Sequence, residues 1–277
     1  MPAGTHGAEL RPGASQSKQE PAREIRKSPQ LRANAANTER DVVGGVCEAE
    51  GIRQIARILR RSETEEMWVF LPRAHGASEC QWHEIGREER SESDGSYVRI
   101  DMAYVKMLIA ENEAVHFFHF HPLKYFECAS QAGCPREAAS AAAFDARWIT
   151  DLLYSMPSPS DVHFMMELTS RFNRRHGGRG TIRHSVVTPY GVVEYGLTDA
   201  GLAKYDAERH GRSGGLYITW VMASALADER LEAVARDHAG SIVESIRRLA
   251  QTLNTANLRV VHRPLAGAAE HTRAAPE

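Results

Sequence analysis

The stretch "HFFHFHPL", residues 116–123, sets two imidazoles one residue apart within an aromatic run. In an extended strand residues i and i+2 project to one face, so His119 and His121 point together while Phe118 and Phe120 point the other way. Two imidazoles on one face make half of a transition-metal site. A catalytic zinc takes three protein ligands and keeps its fourth position for water, which makes a carboxylate the natural third donor. Asp161 is the nearest well-placed one downstream, at the start of an expected helix and preceded by Pro157-Ser158. The histidine pair alone is a weak signal, since such pairs also occur on solvent-facing strands.

The surrounding chain must hold these groups in place. In "GGVCEAEGIRQIARILRR" a helical period sets Ile52, Ile55 and Leu59 on one face and arginines on the other. Strands are expected in "EEMWVFLP" and "CQWHEIG", and the polar "REERSESDGS" reads as a turn. "RIDMAYVKMLIAEN" predicts a short helix capped by Asp101, with Met102, Val105, Leu108 and Ile109 as its apolar stripe, leading into the strand "AVHFFHFH". About 35 residues then separate Pro122 from the next motif, and Phe144, Trp148, Ile149, Leu152 and Leu153 recur there at helical spacing. "PSPSD" ends that helix and starts another, with Val162, Met165, Met166, Thr169 and Phe172 along one face. Two strands, "IRHSVVT" and "VVEYGL", succeed it around the turn "PYG". Leu231, Val234, Ile242, Ile246, Leu249 and Leu253 predict a long C-terminal helix that either covers the core or pairs with another chain.

Length and composition narrow the classes. A chain of 277 residues has room for one full core with flanking segments. With 34 basic and 36 acidic residues it carries no overall basic field of the kind that serves nucleic acid. Residues 1–40 are rich in Pro, Gly, Ser, Gln and charge and read as a disordered tail. Cys47, Cys80, Cys128 and Cys134 form no CxxC pair and are expected as reduced thiols; Cys128 and Cys134 are near enough to pair or to share a second metal. No signal-peptide pattern is evident, and the longest apolar run, "LYITWVMASALA", is about half a membrane span. A soluble cytoplasmic protein is expected.

His119-x-His121-Pro122 together with the later Pro157-Ser158-x-x-Asp161 resembles the signature of the JAMM/MPN+ zinc metalloproteases, the deubiquitinating enzymes and their bacterial relatives. The strand-turn-strand "SVVTPYGVVEYGL" is similar to the one after the ligand helix in that family, and the resemblance spans about residues 45 to 200. It implies an α/β (α+β) fold, a mixed β-sheet flanked by helices with cytidine-deaminase-like layering. The catalytic domain would cover residues 41–215, with a helical insertion at 123–156, and a helical extension would occupy 216–277. It further implies Zn2+ held by His119, His121 and Asp161, with the Ser158 hydroxyl helping to stabilise the oxyanion. A glutamate ahead of an apolar strand completes the set; Glu66 is the first choice and Glu65 the second. The family joins its two motifs by a short loop, whereas here a helix intervenes. That insertion would serve as a substrate platform or lid through Phe144, Trp148 and Tyr154, or those aromatics simply glue it to the core.

Zinc brings the pKa of a bound water to about 7. A nearby glutamate can then accept its proton and pass it to the departing amine. Peptide or isopeptide hydrolysis suits these groups, and the resemblance implies cleavage after the C-terminal glycine of a ubiquitin-like protein, in deconjugation or precursor processing, within a bacterial conjugation or antiviral system. Two other classes compete: a non-catalytic MPN scaffold, which would be expected to lack the ligands, and a RadC-like protein with a nucleic-acid association, which the charge balance disfavours. Neither nucleic acid nor a membrane is expected as partner, while the C-terminal helix offers a surface for a homodimer. His116 falls on the opposite strand face from His119, and His116, His163 and His184 are expected in supporting or surface roles.

Overall fold

The computed structural model describes residues 42–44, 48–60, 64–72, 79–91, 95–126, 141–209 and 242–265. The expected tail, Cys47, Cys128, Cys134, the apolar run at 216–227 and the side chain of Phe144 lie outside the described residues. Among those described, no helix is long and apolar enough to cross a membrane.

The fold is mixed α and β. Strand β1 (Val42–Gly44) and helix α1 (Glu48–Leu59) precede β2 (Glu66–Leu71), β3 (Gln81–Ser91) and β4 (Gly95–Ile100). Helix α2 (Met102–Glu111) then leads into β5 (Ala114–Phe120), a 3-10 turn (Leu123–Tyr125), α3 (Ala141–Tyr154) and α4 (Pro159–His176). Strands β6 (Thr181–Thr188) and β7 (Gly191–Leu197), helices α5 (Asp199–Arg209) and α6 (Ile242–Leu253), and β8 (Leu258–Arg263) complete it. The eight strands form one sheet in the order β1-β3-β2-β5-β6-β7-β8, with β4 also on β3.

Neighbouring described strands run antiparallel except β5 and β6, whose parallel register sets His119 beside Val186. Parallel strands require a crossover, and its described part consists of the 3-10 turn, α3 and α4. Because α4 must return to the start of β6, its N-terminus lies at the carboxyl end of β5. This topology brings "PSPSD" to "HFH".

Both faces of the central strands are buried. On one, Ile52, Ile55 and Leu59 of α1 pack against Trp68, Phe70, Trp82, Phe118 and Phe120. Gly51 lets that helix approach, since a Cβ there would lie 2.1 Å from the Trp82 ring. On the other face Val105, Leu108 and Ile109 of α2 and Leu168 and Phe172 of α4 cover Met67, Val69, Leu71 and Phe117. The covering continues through Trp148 and Leu152 of α3 and Ile242, Ile246, Leu249 and Leu253 of α6 over Val186, Val193 and Val260.

Two expectations are corrected. "REERSESDGS" is not simply a turn: β3 runs to Ser91 and β4 begins at Gly95, because ladder pairing such as Arg87 with Arg99 and Glu88 with Val98 overrides a composition poor in β-formers. Residues 242–263 are no appended helical extension. Helix α6 is buried in the core and β8 pairs with β7 as an edge strand, so both belong to the same core and sheet as the elements before them. Of the two places expected for the C-terminal stripe, Ile242, Ile246, Leu249 and Leu253 take the core-covering one, while Leu231 and Val234 lie outside the described residues. Of the two readings of the insertion, its described part follows the second: Trp148 and Leu152 of α3 are core residues.

Candidate metal centre

Strand β5 lies between β2 and β6 and carries both histidines toward its carboxyl end. Their rings sit edge to face, centroids 4.5 Å apart. The ladder continues one residue past the strand, the His121 N–H donating to the Val187 carbonyl at 3.0 Å, which keeps His121 in register beside His119.

Each imidazole is oriented by a partner. His121 Nδ1 donates to the Tyr154 carbonyl at 2.6 Å, leaving Nε2 with the lone pair a metal requires. His119 lies between two carboxylates, with Nδ1 2.9 Å from Asp161 Oδ1 and Nε2 3.0 Å from Glu65 Oε2. Burial pushes the His119 pKa down, but the charges and hydrogen bonds of Asp161 and Glu65 outweigh burial and raise it to about 10. The same partnership holds Asp161 well below the usual carboxylate range, against the upward push of its own burial. Desolvation, and after it the charge on His119, lowers the pKa of His121, which is neutral.

Asp161 is fixed by a capping box. Ser158 is the N-cap of α4; its N–H and its hydroxyl donate to Asp161 Oδ2 at 2.8 and 2.7 Å, and its Oγ accepts from the Asp161 N–H at 3.1 Å. The Ser158 proton is therefore committed to Asp161 and must turn away from it before it can reach any oxyanion.

Of the expected residues, His119, His121, Asp161 and Ser158 are brought together. Glu66 is not. It points to the α1 face, accepts from Trp68 Nε1 at 3.0 Å, lies 3.4 Å from Arg87 and is 3% exposed. The reason is strand parity: Glu66 pairs with Phe120 and Met67 with His119, so the residue before Glu66 shares the histidine face. That residue is Glu65, the second choice. One ring nitrogen of each histidine and one Glu65 oxygen lie within 4.8 Å of one another, a group that could hold a metal ion. Asp161 stands outside this set and reaches His119 from its other nitrogen.

Two supporting residues, Glu88 and Tyr125, carry no signal in the sequence. The Glu65 N–H donates to Glu88 Oε2 at 3.0 Å, the Glu88 N–H donates to the Glu65 carbonyl at 2.8 Å, and the Tyr125 hydroxyl donates to the same Glu88 oxygen at 3.0 Å. Tyr125 also stacks on Tyr154, centroids 5.1 Å apart, linking the support of Glu65 to that of His121. No spacing rule relates these positions.

The other histidines take supporting or surface places. His116 is on the α1 face with Glu48 at 3.2 Å and Ser185 at 2.9 Å. His163 is exposed, and His184 stacks on Phe117 with centroids 5.0 Å apart. Comparison of the chain with family models, with curated proteins and with solved structures finds no match.

Proposed function

We propose that this chain is a JAMM/MPN+-type zinc peptidase or isopeptidase acting after the C-terminal glycine of a ubiquitin-like protein. The observation that carries the reading is the convergence of His119, His121, Glu65 and the Ser158-Asp161 capping box at the carboxyl end of a central strand. The three-layer arrangement of helices about a mixed sheet is compatible with that fold family.

The donor set suits zinc. Two imidazoles with a carboxylate are a common zinc set, and softer or all-oxygen preferences are not served here. Bound zinc would supply Lewis acidity and an acidified water. In this reading His119, His121 and Asp161 would hold the zinc, which requires Asp161 Oδ1 to give up its present bond to His119 Nδ1, and Glu65 takes the proton-carrying role expected of Glu66. Glu65 is suited to it: its main chain is clamped by Glu88 on both sides, so its carboxylate is held facing the histidines. The Ser158 hydroxyl, already at the site's edge, would turn to the developing oxyanion.

The test is metal analysis of the purified protein and then cleavage of a ubiquitin-like fusion. Stoichiometric zinc, lost in His119→Ala, and cleavage abolished by a chelator are the expected results. A metal-free, folded wild type that leaves the fusion intact after zinc is added overturns the proposal.

A further inference from the structure

We infer that the pocket between α1 and the carboxyl end of β5 is a subsite for an acidic side chain of the substrate. The pocket has a volume of about 230 Å³ and is bordered by Arg53, Arg57, Arg60, Phe120, Val187 and His121, among others. Among the described residues no acidic side chain lines it. Its placement beside the reaction centre rests on the peptidase reading; its preference for an anion rests on the pocket alone.

Arg53 and Arg57 of α1 and Arg60, the residue just past its end, fall at i, i+4 and i+7 on one flank, while Ile52, Ile55 and Leu59 hold the adjoining flank against the sheet. Arg53 is engaged by Glu50 at 2.7 Å. Arg57 and Arg60 are exposed and, among the described residues, lie in no close ion pair, although Arg57 feels the charge of Glu50, which Arg53 already holds. Two guanidinium groups at one rim, over a floor of Leu59, Phe120 and Val187, match a carboxylate carried on methylenes. Arginine binds carboxylate through paired parallel hydrogen bonds, which gives direction as well as charge.

His121 ties the pocket to the chemistry, since it borders the pocket and also belongs to the metal-capable group. An extended peptide advances about 3.3 Å per residue, so the acidic side chain would sit within about one to three residues of the cleaved bond. A nucleic-acid backbone fits less well. It requires a long basic track, whereas this is one concavity with an apolar floor on a chain of net charge −2.

The experiment compares binding of fluorescein-labelled Glu-Glu-Gly-Gly and Gln-Gln-Gly-Gly peptides to the zinc-loaded full chain by anisotropy, alongside hydrolysis of the corresponding coumarin amides. Arg57→Gln/Arg60→Gln is expected to weaken the acidic peptide about tenfold or more, to leave the neutral one within about twofold, and to act through KM with zinc content unchanged. Arg57→Glu/Arg60→Glu should move the preference toward a Lys-Lys-Gly-Gly peptide. Equal losses on all peptides, no loss on any, or loss of single-stranded DNA binding with peptide binding intact overturns the inference. Selective binding without hydrolysis would overturn only the peptidase reading, and hydrolysis indifferent to the arginines only the subsite.

Discussion

Neighbouring glutamates with opposite orientations give a sharp test, because Glu65→Gln and Glu66→Gln are the same chemical change one residue apart. Glu66 is buried on the α1 face, and a glutamine there still accepts from Trp68 Nε1 through its amide oxygen. The loss is the ion pair to Arg87, whose side chain is 56% exposed, a contact worth about 0–1 kcal/mol. Glu66→Gln should therefore keep its zinc and its turnover, and its Tm should fall by no more than about 4 °C. Glu65→Gln should fold as wild type does but lacks the carboxylate facing His119 Nε2. Loss of a positioned proton carrier costs about 10²–10⁴ in turnover, or about 3–5 kcal/mol of barrier. The assays are zinc stoichiometry by elemental analysis, single-turnover cleavage of a ubiquitin-like fusion, and thermal melting. Full activity in Glu65→Gln with a dead, well-folded Glu66→Gln refutes the parity argument. A folded Glu65→Gln that has lost its zinc instead makes Glu65 a ligand and refutes its role as base.

Three further outcomes are expected. Asp161→Asn loses the charge that orients His119 and should weaken zinc binding by at least about 10–100-fold in a competition titration with a chromogenic chelator; unchanged affinity would remove Asp161 from the site. His184 is buried and its pKa is held down to about 3 by desolvation and by His116, so its contribution to stability is complete above the unfolded value of 6.5 and is lost as pH falls from there toward 3. Urea melts at pH 7 and pH 5 should show about 2 kcal/mol less acid loss in His184→Phe than in wild type, and identical losses would contradict the assignment. Gly51→Ala gains about 1 kcal/mol of helix propensity but drives a methyl to within 2.1 Å of the Trp82 ring, so a net destabilisation of about 1–3 kcal/mol is expected in denaturant melts, and a stabilised variant would show that α1 is free to shift.

Legibility tracked how far apart in sequence the partners stand. Asp101 as N-cap of α2 and Ser158 with Asp161 at the start of α4 could be read because a cap is a local device, and the structure shows both. The alternation of His119 and His121 was equally local. Glu65 against Glu66 was not legible. Every residue of β2 is buried, so the strand has no polar face to announce its parity, and the register to β5 is a long-range fact. The same blindness affected α6: an apolar stripe looks alike whether its own sheet or another chain covers it, and only β8 pairing with β7 decides for the sheet. Glu88 and Tyr125 act through a main chain 23 residues and more away, where no residue-type pattern could reveal them.

The long connection between the two histidines and "PSPSD" looked like the weakest point of the reading, and the crossover geometry explains why it need not be. Between parallel neighbours, a helix that returns to the start of the second strand begins beside the end of the first, whatever lies between. The distance from His119 to Asp161 is thus set by β5, α4 and β6 and not by the length of chain that joins them. Asp161 then serves two ends with two oxygens: Oδ2 closes the capping box that starts α4, and Oδ1 orients His119. A substitution that frees the helix start must also release the histidine. Inserted chain can vary while that joint is kept, provided it still delivers the Tyr154 carbonyl to His121, the Tyr125 hydroxyl to Glu88, and Trp148 and Leu152 to the core.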